Sequence, residues 1–198
     1  MDACGVAQFE SFDGMSLADI VYPMFLFAMG MSAAISTSRR STSLKKVFSR
    51  TITLFLLGLI LNEVAYIFAY IFIADYTSEQ FYSSAVEHLR VFGILQRLAL
   101  TYLFGMAITQ FVQTDKEIFC AAFLLLIASS LGFHVYATEN PFDEVKNIST
   151  AVDLKFPGAN HIYTPTGDPE GLYDTIASTA SMLFGFLAGR ILIANSFM

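Results

Sequence analysis

Apolar residues fill this chain in five long blocks, separated by shorter polar stretches. The blocks read "LADIVYPMFLFAMGMSAAIS" (17–36), "FSRTITLFLLGLILNEVAYIFAYIFI" (48–73), "VFGILQRLALTYLFGMAITQFV" (91–112), "EIFCAAFLLLIASSLGFHVYA" (117–137) and "LYDTIASTASMLFGFLAGRILIA" (172–194). A helix needs about 20 mostly apolar residues to cross a bilayer, and each block has that length. Strands of a membrane barrel would be shorter and would alternate in polarity. The pattern predicts an all-α membrane protein, a polytopic bundle of about five transmembrane helices over 17–36, 50–73, 91–112, 117–137 and 172–194. A long polar loop is expected at 138–171, within one partial transmembrane domain.

Basic residues set the expected orientation. The segment "TSRRSTSLKKVFSR" (37–50) holds five of the eleven Lys and Arg residues and no acid. By the positive-inside tendency it faces the cytoplasm. The loop at 74–90 carries Asp75, Glu79 and Glu87 against Arg90, and the loop at 138–171 is mostly acidic, so both are expected outside. The result is an N-terminus out and a C-terminus in. With no signal peptide to carry the N-terminus across, the chain reads as part of a larger bundle.

Composition agrees with the lipid bilayer as the solvent: 55% of the residues are hydrophobic and 14% charged, where soluble domains have roughly 25% charged. A net charge of −6 argues against nucleic acid. Cys4 and Cys120 fall outside and inside a span respectively, so no disulfide is expected.

Ionisable groups inside spans are costly and mark functional sites by default. Asp19, Glu63 beside Asn62, and Arg97 beside Gln96 all fall toward the outer ends of their spans, with Arg90 and Asp174 near the same level. One reading pairs Asp19 or Glu63 with Arg97 to hold helices together. The other makes these groups line a polar chamber roofed by 138–171. Gly185 and Gly189 have the close-packing spacing of small residues on membrane helices, and Pro23 is expected to kink the first span. His88, His134 and His161 are scattered, without metal-ligand spacing, and no metal is expected. Asn147-Ile148-Ser149 fits a glycosylation sequon on the outer side. In "HIYTPTGDPEG" (161–171), residues 165–167 read as a turn, with Asp168 capping the last helix and Pro169 and Glu170 in its first turn.

Three strings together resemble a family. "GMSLADIVYPMFLFAMGMSAAIS", "LRVFGILQRLALTY" and "HIYTPTGDPEGLYDTIASTASMLFGFLAGR" occur in the order, and with much of the wording, of the heparan-α-glucosaminide N-acetyltransferase family of membrane acyltransferases, bacterial relatives of unassigned function included. The resemblance covers about residues 13–190. It implies a bundle of about ten or more helices, of which this chain lacks the first and the later ones. It also implies transfer of an acetyl or acyl group from acyl-CoA, acetyl-CoA in the characterised members, to an amino sugar or glycan acceptor on the far side of the membrane. Acetyl-CoA would be a co-substrate, with no bound cofactor. The implied setting is a bacterial cytoplasmic (inner) membrane, with a homo-oligomer as a further expectation.

The family's catalytic histidine lies shortly before the "DGMSLAD" run. Here the preceding "CGVAQFESF" has none, and Phe9 stands near the expected place. The candidate catalytic groups are therefore His161, Asp19 and Glu170. The candidate substrate-binding groups are Gln96, Arg97, Arg90, Asp168 and Glu63. The alternative is a non-enzymatic permease or glycan-assembly component on the same scaffold.

Overall fold

The computed structural model describes residues 17–39, 43–72, 77–83, 87–137, 140, 143, 145–164 and 168–196. Among these the protein is helical, with no strand. Its elements are α1 (Leu17–Arg39), α2 (Leu44–Phe72), α3 (Ser78–Tyr82), α4 (Ile94–Phe111), α5 (Asp115–Tyr136), α6 (Ile148–Asp153) and α7 (Thr175–Ser196). A kinked segment at Leu154–Gly158, in which Phe156 is extended, and a 3-10 turn at Ala159–His161 follow α6. Gly158 takes a φ of 107° between them, a left-handed conformation that glycine adopts without strain.

Four helices are long and apolar enough to cross a membrane, and the chain is a multi-pass membrane protein: Ile20–Ser38, Leu44–Val64, Asp115–Tyr136 and Thr175–Asn195. The third expected span is the helix α4, Ile94–Phe111, a few residues shorter than 91–112. It packs between α2 and α7 and carries Gln96, Arg97 and Gln110 among its apolar residues. α2 begins at Leu44, so Lys45, Lys46 and Arg50 stand on a helix rather than in a loop.

The last helix also starts later than expected. Residues 169–174 form turns and α7 begins at Thr175, so Asp168 does not cap it. The turn expected at 165–167 lies outside the described residues.

α7 is the centre of the bundle. Half of its apolar window is buried, against 17–22% in the other three spans. It packs against α1, α5 and α4, while α2 lies on the far side of α4. Glycines set the closest approach. A Cβ on Gly185 would stand 2.0 Å from the Phe27 carbonyl oxygen, and one on Gly30 would stand 2.0 Å from that of Met182. Without side chains there, the backbones of α1 and α7 touch, as the Gly185–Gly189 spacing predicts.

Leu26, Ala34, Met106, Ile118, Met182 and Leu183 fill the space between helices with almost no exposure. Outside this core, Phe25, Phe48, Leu56, Phe123 and Leu131 are exposed, as they should be where the solvent is lipid. At the end carrying the α4–α5 turn, Arg190 pairs with Asp115 at 3.0 Å and donates to the Gln113 carbonyl at 2.7 Å. Thr114 and Glu117 form a capping box that starts α5.

Candidate functional site

Both arginines near the start of α4 meet the segment that follows α6, and they are held in different ways. Arg90 lies in the approach to α4. Its Nε donates to Asp168 Oδ2 at 3.1 Å and its Nη2 to Asp168 Oδ1 at 2.6 Å. The same Nη2 also bonds Glu170, and the guanidinium lies 4.5 Å from the centre of the Tyr163 ring. Burial works against the charge on Arg90, but Asp168 and Glu170 outweigh it and push its pKa up. Asp168 is buried and also accepts from the Tyr163 and Glu170 amides. All of these contacts are internal, so Arg90, Asp168 and Glu170 form a clamp that fastens the segment to the entry of α4.

Arg97 is one turn into α4 and has neutral partners. Its Nε donates to Ser178 Oγ at 2.9 Å, its Nη1 to the Pro169 carbonyl at 2.9 Å, and its Nη2 to the Asp174 carbonyl at 3.2 Å. The guanidinium stacks 4.7 Å from the centre of the Tyr22 ring on α1. Among the described residues its hydrogen-bond partners carry no charge and it has no ion-pair partner, so its positive charge is held in place by neutral groups.

Two acids, Asp174 half-buried and Asp153 buried, lie within Arg97's electrostatic reach. Burial raises the pKa of Asp174, while Arg97 and a hydrogen bond from Ser149 pull it back. Asp153, at the end of α6, is fully buried, and its Oδ1 accepts from the Leu172 amide at 3.0 Å. Its Oδ2 has no hydrogen-bond partner and faces Gly171, where a Cβ would stand 2.1 Å away. Burial pushes the Asp153 carboxyl up to about 6; the Leu172 amide opposes this, Asp168 and Asp174 add to it, and Arg97 opposes it.

His161 is half-buried beside the same segment. Its Nδ1 is 2.9 Å from the Leu89 carbonyl, an acceptor, so that nitrogen carries the proton. The Val91 amide donates to the His161 carbonyl at 3.2 Å, tying the approach to α4 to the 3-10 turn. With Nδ1–H engaged, Nε2 keeps a free lone pair in the neutral ring.

Two of the sequence candidates lie elsewhere. Gln96 precedes Arg97, so its side chain leaves α4 about 100° away. It is fully buried toward α2, where a Cβ on Gly58 would stand 2.5 Å from Gln96 Oε1. It does not join Arg97 as a paired donor. Glu63 is buried on α2 with Oε2 lacking a hydrogen-bond partner, and it does not pair with Arg97. Asp19 lies in the first turn of α1, but its side chain falls outside the described residues, as does the segment 4–12.

The expected sequon has a different role. Asn147 is buried, accepts from the Thr150 amide at 2.9 Å and donates to the Asp143 carbonyl at 2.8 Å, capping α6. A glycan cannot be attached to an amide so placed without unfolding that cap. Asp153 escaped sequence reading; its only signal is an acid set among apolar residues in "AVDLKF". Among the described residues no group of three or more His, Cys, Asp or Glu side chains is arranged to hold a metal.

No protein-family model and no curated protein matches the chain.

Proposed function

We propose that this protein is a membrane acyltransferase that passes an acetyl or acyl group from acyl-CoA to an amino sugar or envelope glycan. The site is the Arg97–His161 end of the bundle, on the outer side of a bacterial inner membrane. The observation that carries the reading is the state of Arg97: a fixed cation whose hydrogen-bond partners among the described residues are neutral, at the same end of the bundle as His161.

Acyl transfer to an amine needs both groups. The amine nitrogen attacks the thioester carbonyl carbon, the carbonyl oxygen becomes an oxyanion, and the amine proton must leave. The C–S bond then breaks, and the thiolate takes up a proton. Arg97 supplies positive charge for the oxyanion, and His161 Nε2 accepts the amine proton. Arg90, Asp168 and Glu170 keep the segment carrying His161 docked. The three sequence strings that resemble the acyltransferase family hold Arg90 and Arg97 in one and His161, Asp168 and Glu170 in another, which supports the same assignment.

The test is direct. Purified protein in lipid vesicles receives acetyl-CoA with glucosamine or a glucosamine-terminated glycan, and acetylated acceptor is measured by mass spectrometry. Failure of every amino-sugar and alcohol acceptor sinks the proposal.

The second reading is a non-enzymatic permease or glycan-assembly component. The lack of histidine in residues 4–12 favours it. Glycan flux into vesicles that persists without any acyl donor would select it.

A further inference from the structure

α1 and α2 follow one another in sequence, yet their main packing partners are α7 and α4 rather than each other. Between them, in the half of the bundle near the basic 37–50 segment, lie two adjoining hollows of about 310 and 410 Å³ that share Met29, Arg50 and Tyr102. Ser32 and Ser36 of α1 line the first, and Ser49 and Thr53 of α2 line the second. Leu54 makes the second hollow mainly apolar, and Met106 adds an apolar wall to the first.

Arg50 stands about 9 Å into α2. Its Nη1 donates to the Tyr102 hydroxyl at 3.3 Å, and it has no ion-pair partner among the described residues. A guanidinium has five N–H donors, and Tyr102 accepts from one without neutralising the charge. Lys46 lies one turn before Arg50 on α2, and Lys45 is next to it. Phe48, Ile52 and Leu56 are exposed along the same helix, so bilayer lipid borders the groove.

We propose that this groove binds one anionic phospholipid: its phosphate on Arg50, its polar headgroup among the serine and threonine hydroxyls, and an acyl chain along Met29, Leu54 and Met106. Charge complementarity selects the occupant. An arginine near the membrane surface with no ion-pair partner among the described residues attracts an anion, and basic pockets between membrane helices bind acidic headgroups. The apolar depth of the groove has no use for free phosphate. The inference is independent of the function proposed above and concerns the opposite end of the bundle.

The experiment is native mass spectrometry of the full chain released from mixed phosphatidylglycerol and phosphatidylcholine vesicles. Wild type should retain one phosphatidylglycerol and not phosphatidylcholine. Arg50→Gln should lower that retention about fivefold, the worth of one basic residue near an anionic surface. Met29→Trp, which fills the groove and leaves Arg50 in place, should lower it as well, and it keeps the test open if the Arg50 variant misfolds. Equal retention of both lipids, or wild-type retention by both variants, overturns the proposal. Displacement of the lipid by added acetyl-CoA also overturns it and gives the groove to the acyl donor.

Discussion

Arg90 and Asp168, separated by 78 residues, meet through two hydrogen bonds, Nε to Oδ2 at 3.1 Å and Nη2 to Oδ1 at 2.6 Å. The Asp168 side chain is fully buried and that of Arg90 is 23% exposed. Removing the carboxylate strands a largely buried cation and releases the Tyr163 and Glu170 amides. Asp168→Ala should cost about 2–3 kcal/mol, the range for hydrogen bonds to charged groups. Thermal unfolding in detergent would show a lower midpoint, and limited proteolysis would show faster cleavage between 145 and 174. Arg90→Lys should move both readouts the same way, because an ammonium lacks the two-pronged geometry. Wild-type values for both variants would remove the clamp from the fold.

Gly185 tests the core of the bundle. A methyl group there would stand 2.0 Å from the Phe27 carbonyl oxygen, a backbone atom that cannot swing aside. Gly185→Ala should force α1 and α7 apart and destabilise by about 1–3 kcal/mol, the usual cost of overpacking. Ile191→Ala, on the same helix with an exposed side chain, serves as the control. If the two variants melt alike, the glycine contact does not set the helix separation.

How much of this was legible in the sequence depends on the scale of each feature. The long spans were, because a bilayer demands about 20 apolar residues in a row whatever the neighbours are. The Gly185–Gly189 contact was, because its spacing lies within one helix. Arg97 was visible as a charge in an apolar run, but its partners were not. Glu63 looked eligible, and among the described residues the hydrogen bonds go instead to Ser178 and to the carbonyls of Pro169 and Asp174. Those carbonyls depend on how the segment before α7 turns, which no periodicity encodes. Asp168 looked like a helix cap because acid-Pro-Glu is a common opening. Its pull toward Arg90 and the turn at 169–174 won instead. Asp153 had no pattern to announce it, since its burial depends on α6 folding under Gly171 and Leu172.

Asp153 should make stability depend on pH. Its carboxyl is pushed from 3.8 up to about 6 by burial in the folded protein. Between those values the native state holds a proton that the unfolded chain has released, so unfolding loses free energy as pH rises through the window. Below about 4 both states are protonated and the group contributes nothing. Above about 6 the full penalty, on the order of 2–3 kcal/mol, is present. Asp153→Asn keeps an acceptor for the Leu172 amide and removes the titration. Its melting midpoint relative to wild type should therefore rise between pH 4 and pH 8. A constant difference across that range would show that Asp153 does not titrate there.

Arg97 and His161 separate charge stabilisation from proton transfer in the proposed reaction. Arg97→Gln keeps a donor for Ser178 or Pro169 but removes the cation. On the proposed mechanism kcat should fall about 10²–10³-fold, the scale for losing one oxyanion donor, with KM for the acceptor changed much less. Arg97→Lys retains charge without the geometry that reaches Ser178, Pro169 and Asp174 together, and should recover only part of the loss. His161→Ala removes the proton acceptor and the bond to the Leu89 carbonyl; His161→Asn restores a donor for that carbonyl without a basic nitrogen. If His161→Asn acetylates glucosamine as fast as wild type, His161 positions the loop and takes no proton. If Arg97→Gln keeps its kcat, the cation has no part in the transition state.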